Sequence, residues 1–211
     1  MYNIVAREGG IVLAPLDDAY IHFQYARQIA AGQLYVYNPG LPPTSGATSF
    51  LYPYVVAIIF ALGDLRDGFA FWVMLLIGFP ALATSGNLVY ALVRRHAPAW
   101  IGAVMAALFI VSGPFAWHAM SGMETILVVL FLLWTLYEFV AGRLRGFIVA
   151  ATLLALIRPE GGMWAALAVG ACLLRRFFSP SPASASGVER GAGGGRLHCS
   201  SPSSPLVCSR W

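Results

Sequence analysis

The sequence predicts an all-α fold, a polytopic transmembrane helix bundle, on three observations. Of 211 residues, 59% are hydrophobic and 10% charged, with a mean hydropathy of +0.73, whereas ordinary soluble domains carry roughly 25% charged residues. Between residues 50 and 178, eight Arg and five acidic residues fall mostly in short connectors between long uncharged runs, the pattern of membrane spans and their loops. One run, 69–93, has 25 residues without a charge, more than the ~20 that cross a hydrocarbon core of about 30 Å. The formal net charge of +4, from 13 Arg and no Lys against 9 acids, gives no reason to expect a nucleic-acid partner. Cys172 lies in an apolar run while Cys199 and Cys208 lie in a polar tail, which excludes a disulfide scaffold.

The elements follow in order. Residues 1–49 carry Arg7, Glu8, Asp17, Asp18 and Arg27 among Tyr, Asn, Gly and Pro, and are expected as an outer loop that meets water or lines a polar cavity. Within them, Asp17-Asp18 opens an amphipathic helix whose apolar residues Ala19, Ile21, Phe23, Ala26 and 29–31 fit helical spacing only loosely. Gly32 ends that helix, and Asn38-Pro39-Gly40 marks a turn. Residues 50–63 are short for a crossing, and Pro53 suits a first helical turn, so an interfacial or tilted helix on the outer side is expected. Spans are expected at 69–93, 98–117 and 123–141. Arg94 and Arg95, then Arg143 and Arg145, favour the cytoplasmic side, which turns the 118–122 connector outward. In 146–174, two apolar stretches flank Arg158-Pro159-Glu160-Gly161, and each is too short to span alone. They form either a hairpin with the tetrad at its outer tip or one kinked helix. In 179–211, 18 of 33 residues are Ser, Gly or Pro, so disorder or a shifted reading frame is expected there.

Several residues carry chemistry. Asp17 and Asp18 either cap a helix, for which one carboxylate suffices, or act together as general base and orienting or cation-binding partner. His22 falls one turn further along and is either a satisfied polar edge or a second site residue. Glu124 either meets the dipole of the helix it opens or serves a site, and Arg158 with Glu160 is either a private ion pair or part of a polar pocket. Ionisable groups held near membrane spans are costly and mark functional paths by default. Tyr35, Tyr37, Tyr52 and Tyr54 suit stacking on the ring faces of a ligand or an interfacial aromatic belt. Asn38, Thr48 and Ser49 sit in a loop rich in small hydroxyls and backbone amides.

The stretch DDAYIHFQYARQIAAGQLYVYNPGLPPTSGATSFLYP resembles the first outer loop of the integral-membrane glycosyltransferases that use polyprenyl-phosphate sugars. Their fold is GT-C, and the stretch is similar to the bacterial arabinofuranosyl- and mannosyltransferase-like branch. The resemblance continues through Ser121-Gly122-Met123-Glu124-Thr125 and Arg158-Pro159-Glu160-Gly161. It implies a partial GT-C-like core in a bacterial plasma membrane, with the active loop on the outer face. It further implies transfer of a sugar from a polyprenyl-phosphate donor to a glycan, lipid or protein acceptor. Asp17 or Asp18 resembles the family's catalytic loop aspartate, and Glu124, Arg158 and Glu160 match its polar motif positions. Tyr37, Asn38, Thr48 and Ser49 fall in its substrate loop, Arg158 suits the donor phosphate, and a divalent cation at Asp17 and Asp18 is left open.

Proteins of that family place a transmembrane helix before the aspartate loop, whereas 16 residues precede Asp17 here. The expectation is therefore a fragment, truncated at both ends, of a longer enzyme. Two rivals stand beside it: a transporter or channel module whose Glu124, Arg158 and Glu160 line a permeation path, and an inactive membrane remnant. Inverted repeats would speak for the transporter, and the sequence displays none.

Overall fold

The computed structural model describes residues 7–8, 11–12, 14–44, 46–62 and 68–178. The tail 179–211, expected as disordered or frameshifted, lies outside these. The described residues are all-α apart from a minimal antiparallel pairing of β1 (Arg7–Glu8) with β2 (Ile11–Val12). It divides into two compact units, Met1–Ala168 and Val169–Trp211, and the described part of the second is the end of the last helix.

Helix α1 is Asp17–Ala30. Its buried stripe, Ala19, His22, Phe23 and Ala26, follows the i, i+3, i+4, i+7 rule of one helical face. The apolar spacing looks loose in the sequence because a histidine, not Ile21, occupies this stripe. Gly32 (φ +82) ends the helix as expected, with Gln33 N–H reaching back to the Gln28 carbonyl at 2.8 Å, the bond pattern of a left-handed glycine cap. Helix α2, Tyr52–Ala61, starts with Pro53 in its first turn and packs along α1. The Ser49 hydroxyl accepts the Tyr52 N–H at 3.0 Å and satisfies one orphan donor of that helix end.

Helix α3, Phe69–Val93, covers the same 25 residues as the uncharged run. Its turn at Met74–Gly78 widens to a π-helix immediately before Pro80. A proline inside a helix lacks the amide for the preceding turn and crowds its carbonyl, and a π turn is one way to absorb that fault. Here α3 also runs tightly against another helix, since a Cβ on Gly78 would collide with the Ala119 carbonyl oxygen.

The expected span 98–117 is not a single rod. It is α4 (Ala99–Val111) and α5 (Gly113–Met120), bent by 54° at Ser112. Pro114 has no N–H to give the Ile110 carbonyl and sits in the first turn of α5 behind an extended Ser112 (ψ 124), a signal that hydropathy ignores. Helix α6 (Thr125–Ala141) has 17 residues, about 26 Å at 1.5 Å per residue, short of the hydrocarbon thickness assigned to it as span 123–141. Gly142 (φ +74) caps α6, and α7 (Leu144–Ile157) returns along it. The chain then breaks at extended Arg158, and α8 (Pro159–Phe178) begins at Pro159. Gly161 is set so tightly after this break that a Cβ there would strike the Leu154 carbonyl.

Among the described residues, one helix, α3, is therefore long and apolar enough to cross a membrane, and α4 with α5 passes only if the bent pair counts as one span. The main core gathers α1, α2 and the start of α3 with Ala119, Ile126, Leu127 and Ile157. Large apolar side chains remain exposed along α3, α4, α6 and α7, among them Leu76, Trp100, Leu108, Leu136 and Ile148.

The contact at Gly78 gives a test. Gly78→Ala should lower stability by about 1–3 kcal/mol, the usual cost of overpacking. Gly113→Ala, whose Cβ meets nothing within 4 Å, should stay within about 1 kcal/mol of wild type or gain from helix propensity. Thermal unfolding of the two variants side by side checks the pair, and equal melting points would contradict the close approach.

Candidate functional site

At the N-terminal end of α6 the chain buries a carboxylate. Ser121, Gly122, Met123 and Glu124 form the connector from α5 to α6, which is held from several directions. The Ser121 hydroxyl donates to the His118 carbonyl (2.9 Å) and accepts from Met123 N–H (3.2 Å). Gly122 takes φ +72 with its Cα facing Phe23 and Ala19 of α1, where a Cβ would come within 3.0 Å of the Phe23 ring. The Tyr52 hydroxyl donates to the Gly122 carbonyl at 2.6 Å. A left-handed, tightly covered position admits glycine and little else, and this fixes the direction in which Glu124 leaves the backbone.

The Glu124 side chain is 0% exposed. Its Oε1 lies 3.0 Å from Arg158 Nε and accepts a hydrogen bond from the Thr48 hydroxyl at 3.4 Å, while its Oε2 lies 3.3 Å from His22 Nε2. Thr48 Oγ1 is also 3.5 Å from His22 Nε2, and the His22 ring meets Tyr52 edge-on at 5.3 Å. Arg158, 34% exposed, reaches outward to Glu160 Oε2 at 3.9 Å, and Glu160 is 68% exposed. The array runs from a fully buried anion through a half-buried cation to solvent. The His22 imidazole and the Arg158 guanidinium face the buried carboxylate and offset the cost of its burial.

The contacts to Oε2 and from Nε fall short of hydrogen-bond alignment. Glu124 Oε2, His22 Nδ1 and Arg158 Nε are all buried without a hydrogen-bond partner. Buried polar atoms in folded proteins are nearly always satisfied, so three such atoms in one cluster mark it as a site with polar capacity to spare.

The structure thus brings together His22, Thr48, Glu124, Arg158 and Glu160 from four separate segments. Asp17 and Asp18 are exposed in the first turn of α1 and make no hydrogen bond or ion pair among the described residues. Asp18 is one turn before His22, about 6 Å along the helix axis. Tyr37 and Asn38 are exposed, and the Tyr37 carbonyl accepts from Gln24 Nε2 at 2.8 Å. Ser49 is buried and engaged in starting α2. Tyr52, read from the sequence as a stacking or belt aromatic, is 1% exposed and braces His22 and Gly122 instead. Sequence reading missed Tyr25, whose hydroxyl contacts Thr44 Oγ1 at 2.9 Å and accepts Gly46 N–H at 3.0 Å, tying the loop to α1. Its position three residues after His22 was the available signal. Among the described residues, no group of three or more His, Cys, Asp or Glu is arranged to hold a metal ion.

The basic connectors lie elsewhere. Arg95 and Arg143 both sit over the Tyr137 ring, at 4.9 and 5.9 Å. Tyr137 is 13 residues along α6 from Glu124, about 20 Å on the helical rise. Both connectors therefore share one end of α6, and the Glu124 cluster occupies the other.

Arg158→Met should destabilise the fold by about 3 kcal/mol, the low end for stranding a buried charge because Arg158 keeps access to water. Adding Glu124→Gln should recover part of that loss, and strict additivity in the double-mutant cycle would deny the pairing. No protein-family model matches the chain, and no curated protein or solved structure matches it.

Proposed function

We propose that this chain is part of a membrane glycosyltransferase that moves a sugar from a polyprenyl-phosphate donor to an acceptor hydroxyl at the outer membrane face. The observation that carries the reading is the convergence of its three resembling segments. His22 from the first, Glu124 from the second and Arg158 from the third meet within 3.3 Å contacts around one carboxylate.

Two further observations support the setting. Large apolar side chains stand exposed along several helices, and a hydrocarbon environment would cover them. Close helix contacts fall at small residues, with Gly78 against Ala119 and Gly86 against Ile110, as in packing without a hydrophobic drive between helices. Putting the Arg95 and Arg143 end in the cytoplasm turns the Glu124 end outward, where lipid-linked donors present their sugars in this reading.

In the reaction the acceptor oxygen bonds to the anomeric carbon as the bond from that carbon to the phosphate oxygen breaks. The acceptor proton passes to a carboxylate, and polyprenyl phosphate leaves with the negative charge. Asp17 or Asp18, exposed at the start of α1, is the proposed base, its partner orienting it or helping to hold a divalent cation. The solvent-facing side of Arg158 meets the leaving phosphate, as preorganised cations do at developing charge. Glu124 and His22 are positioning residues behind it.

Membranes containing the chain, supplied with polyprenyl-phosphate sugars, should form a glycosylated product. Asp17→Asn or Asp18→Asn should abolish transfer while membrane insertion is unchanged. Full turnover in both single variants would reject the catalytic assignment, and substrate flux without covalent transfer would favour a transporter.

A further inference from the structure

The end of α6 away from Glu124 carries an unbalanced positive charge. Arg94 and Arg95 follow α3, Arg143 and Arg145 fall at the start of α7, and all four are exposed. Arg94 lies over Tyr90 at 5.6 Å, while Arg95 and Arg143 share the Tyr137 ring at 4.9 and 5.9 Å. Two guanidinium groups from different connectors, both drawn to one ring, repel each other and favour an anion beside them. Between Asp67 and Glu160 the only acids in the sequence are Glu124, at the other end of α6, and Glu138. Glu138 is buried; its Oε1 accepts from Trp134 Nε1 at 3.2 Å and lies 4.0 Å from Arg143 Nη1. Gly146 of α7 packs over that carboxylate, since a Cβ there would come within 2.6 Å of it. Glu138 therefore steadies Arg143 from inside the helix pair, and among the described residues it is the one acid paired with these four arginines.

Apolar stripes run into the same end. On α4, Trp100, Val104 and Leu108 are exposed at four-residue spacing, and on α6 so are Leu132, Leu136 and Val140. Residues four apart share one helix face. Helix α4 begins just after Arg95 and α6 finishes just before Arg143, so each stripe has a cationic terminus. Leu144 is itself exposed between Arg143 and Arg145. A soluble phosphate would use the arginines and leave the stripes bare. A phospholipid uses both, its headgroup on the cations and its chains on the apolar faces, with Trp100 at the boundary where tryptophan gathers. Four exposed guanidinium groups against one buried carboxylate select a headgroup with net negative charge over a zwitterionic one.

We propose that the Arg95–Tyr137–Arg143 end of α6 binds the phosphate headgroup of an anionic phospholipid whose acyl chains lie along the exposed stripes of α4 and α6. Arg95 and Arg143 offer the phosphate oxygens their forked N–H donors, and the Tyr137 ring holds the two side chains near each other. The assignment rests on the membrane setting of the proposed reading and not on sugar transfer.

The probes are phosphatidylglycerol, phosphatidylcholine with the same acyl chains, and soluble glycerol phosphate, each titrated against the detergent-solubilised chain. Wild type should prefer phosphatidylglycerol over phosphatidylcholine by about twentyfold or more, and Arg95→Gln and Arg143→Gln should each lower that preference about fivefold, the effect of one basic residue at an anionic surface. Arg27→Gln, the same charge change on α1, should leave the preference within about twofold, because its exposed charge is screened beyond about 10 Å. Melting curves confirm that each variant is folded. If wild type binds both lipids alike, the proposal falls. If Arg27→Gln costs as much as Arg95→Gln, the lipid reads net charge and no site exists at Tyr137. If glycerol phosphate displaces phosphatidylglycerol at equal concentration, the arginines serve a soluble phosphate instead. If the chain stays monodisperse in buffer without detergent, the membrane setting itself fails and takes the lipid site with it.

Discussion

The constraint on which the site depends is the Glu124 carboxylate, buried at the turn into α6. Removing a carboxylate from water costs several kcal/mol unless other charges and donors replace the solvent. Those groups come from α1, from the loop before α2 and from the break between α7 and α8. Four segments distant in sequence must therefore converge before Glu124 can ionise in place. Apolar packing alone would tolerate sliding of α1 and α2 against the rest, whereas the directional needs of one carboxylate do not.

Close backbone approach makes that convergence possible. Gly122 lets the connector run against Phe23 and Ala19, and Gly161 lets α8 start directly over the Leu154 carbonyl. Tyr52 completes the scaffold by spanning His22 and the Gly122 carbonyl. A Cβ at Gly122 would crowd the Phe23 ring from a left-handed backbone, and one at Gly161 would strike the Leu154 carbonyl, so a larger residue at either glycine disturbs the segments that carry the charged partners. The small residues and the buried charges thus form one device, the former setting distances and the latter giving those distances consequence.

Local features were legible in the sequence. The 25-residue run became α3 because an uncharged stretch of that length needs no knowledge of its neighbours. Gly32 and Pro159 mark ends that backbone chemistry alone dictates. The failures came where hydropathy averages over backbone faults, as at Gly113-Pro114, and where a polar residue sits in an apolar stripe, as His22 does. Glu124 and Arg158 were each singled out, but their meeting joins residues 34 apart and draws in α1 roughly 100 residues away. No periodicity encodes such a pairing. Asp17 and Asp18 stand out in the sequence by their adjacency and lie exposed at the start of α1, while the structure concentrates its burial cost on Glu124.

The two ends of α6 hold positive charge in different ways. At the Tyr137 end, Arg95 and Arg143 lie over an aromatic face, where attraction is modest and the guanidinium groups stay largely hydrated. At the other end, Arg158 is half withdrawn from water and opposed by Glu124 from behind and Glu160 from in front. A cation so flanked attracts stray anions weakly, because its field is largely cancelled at a distance. An anion that displaces the loose 3.9 Å contact with Glu160 meets a guanidinium already oriented by a buried partner. Orientation fixed before binding is what lets a group favour a developing charge over a resting one. On the proposed reading, the buried carboxylate that limits the general affinity of Arg158 for anions is also what gives it a fixed direction.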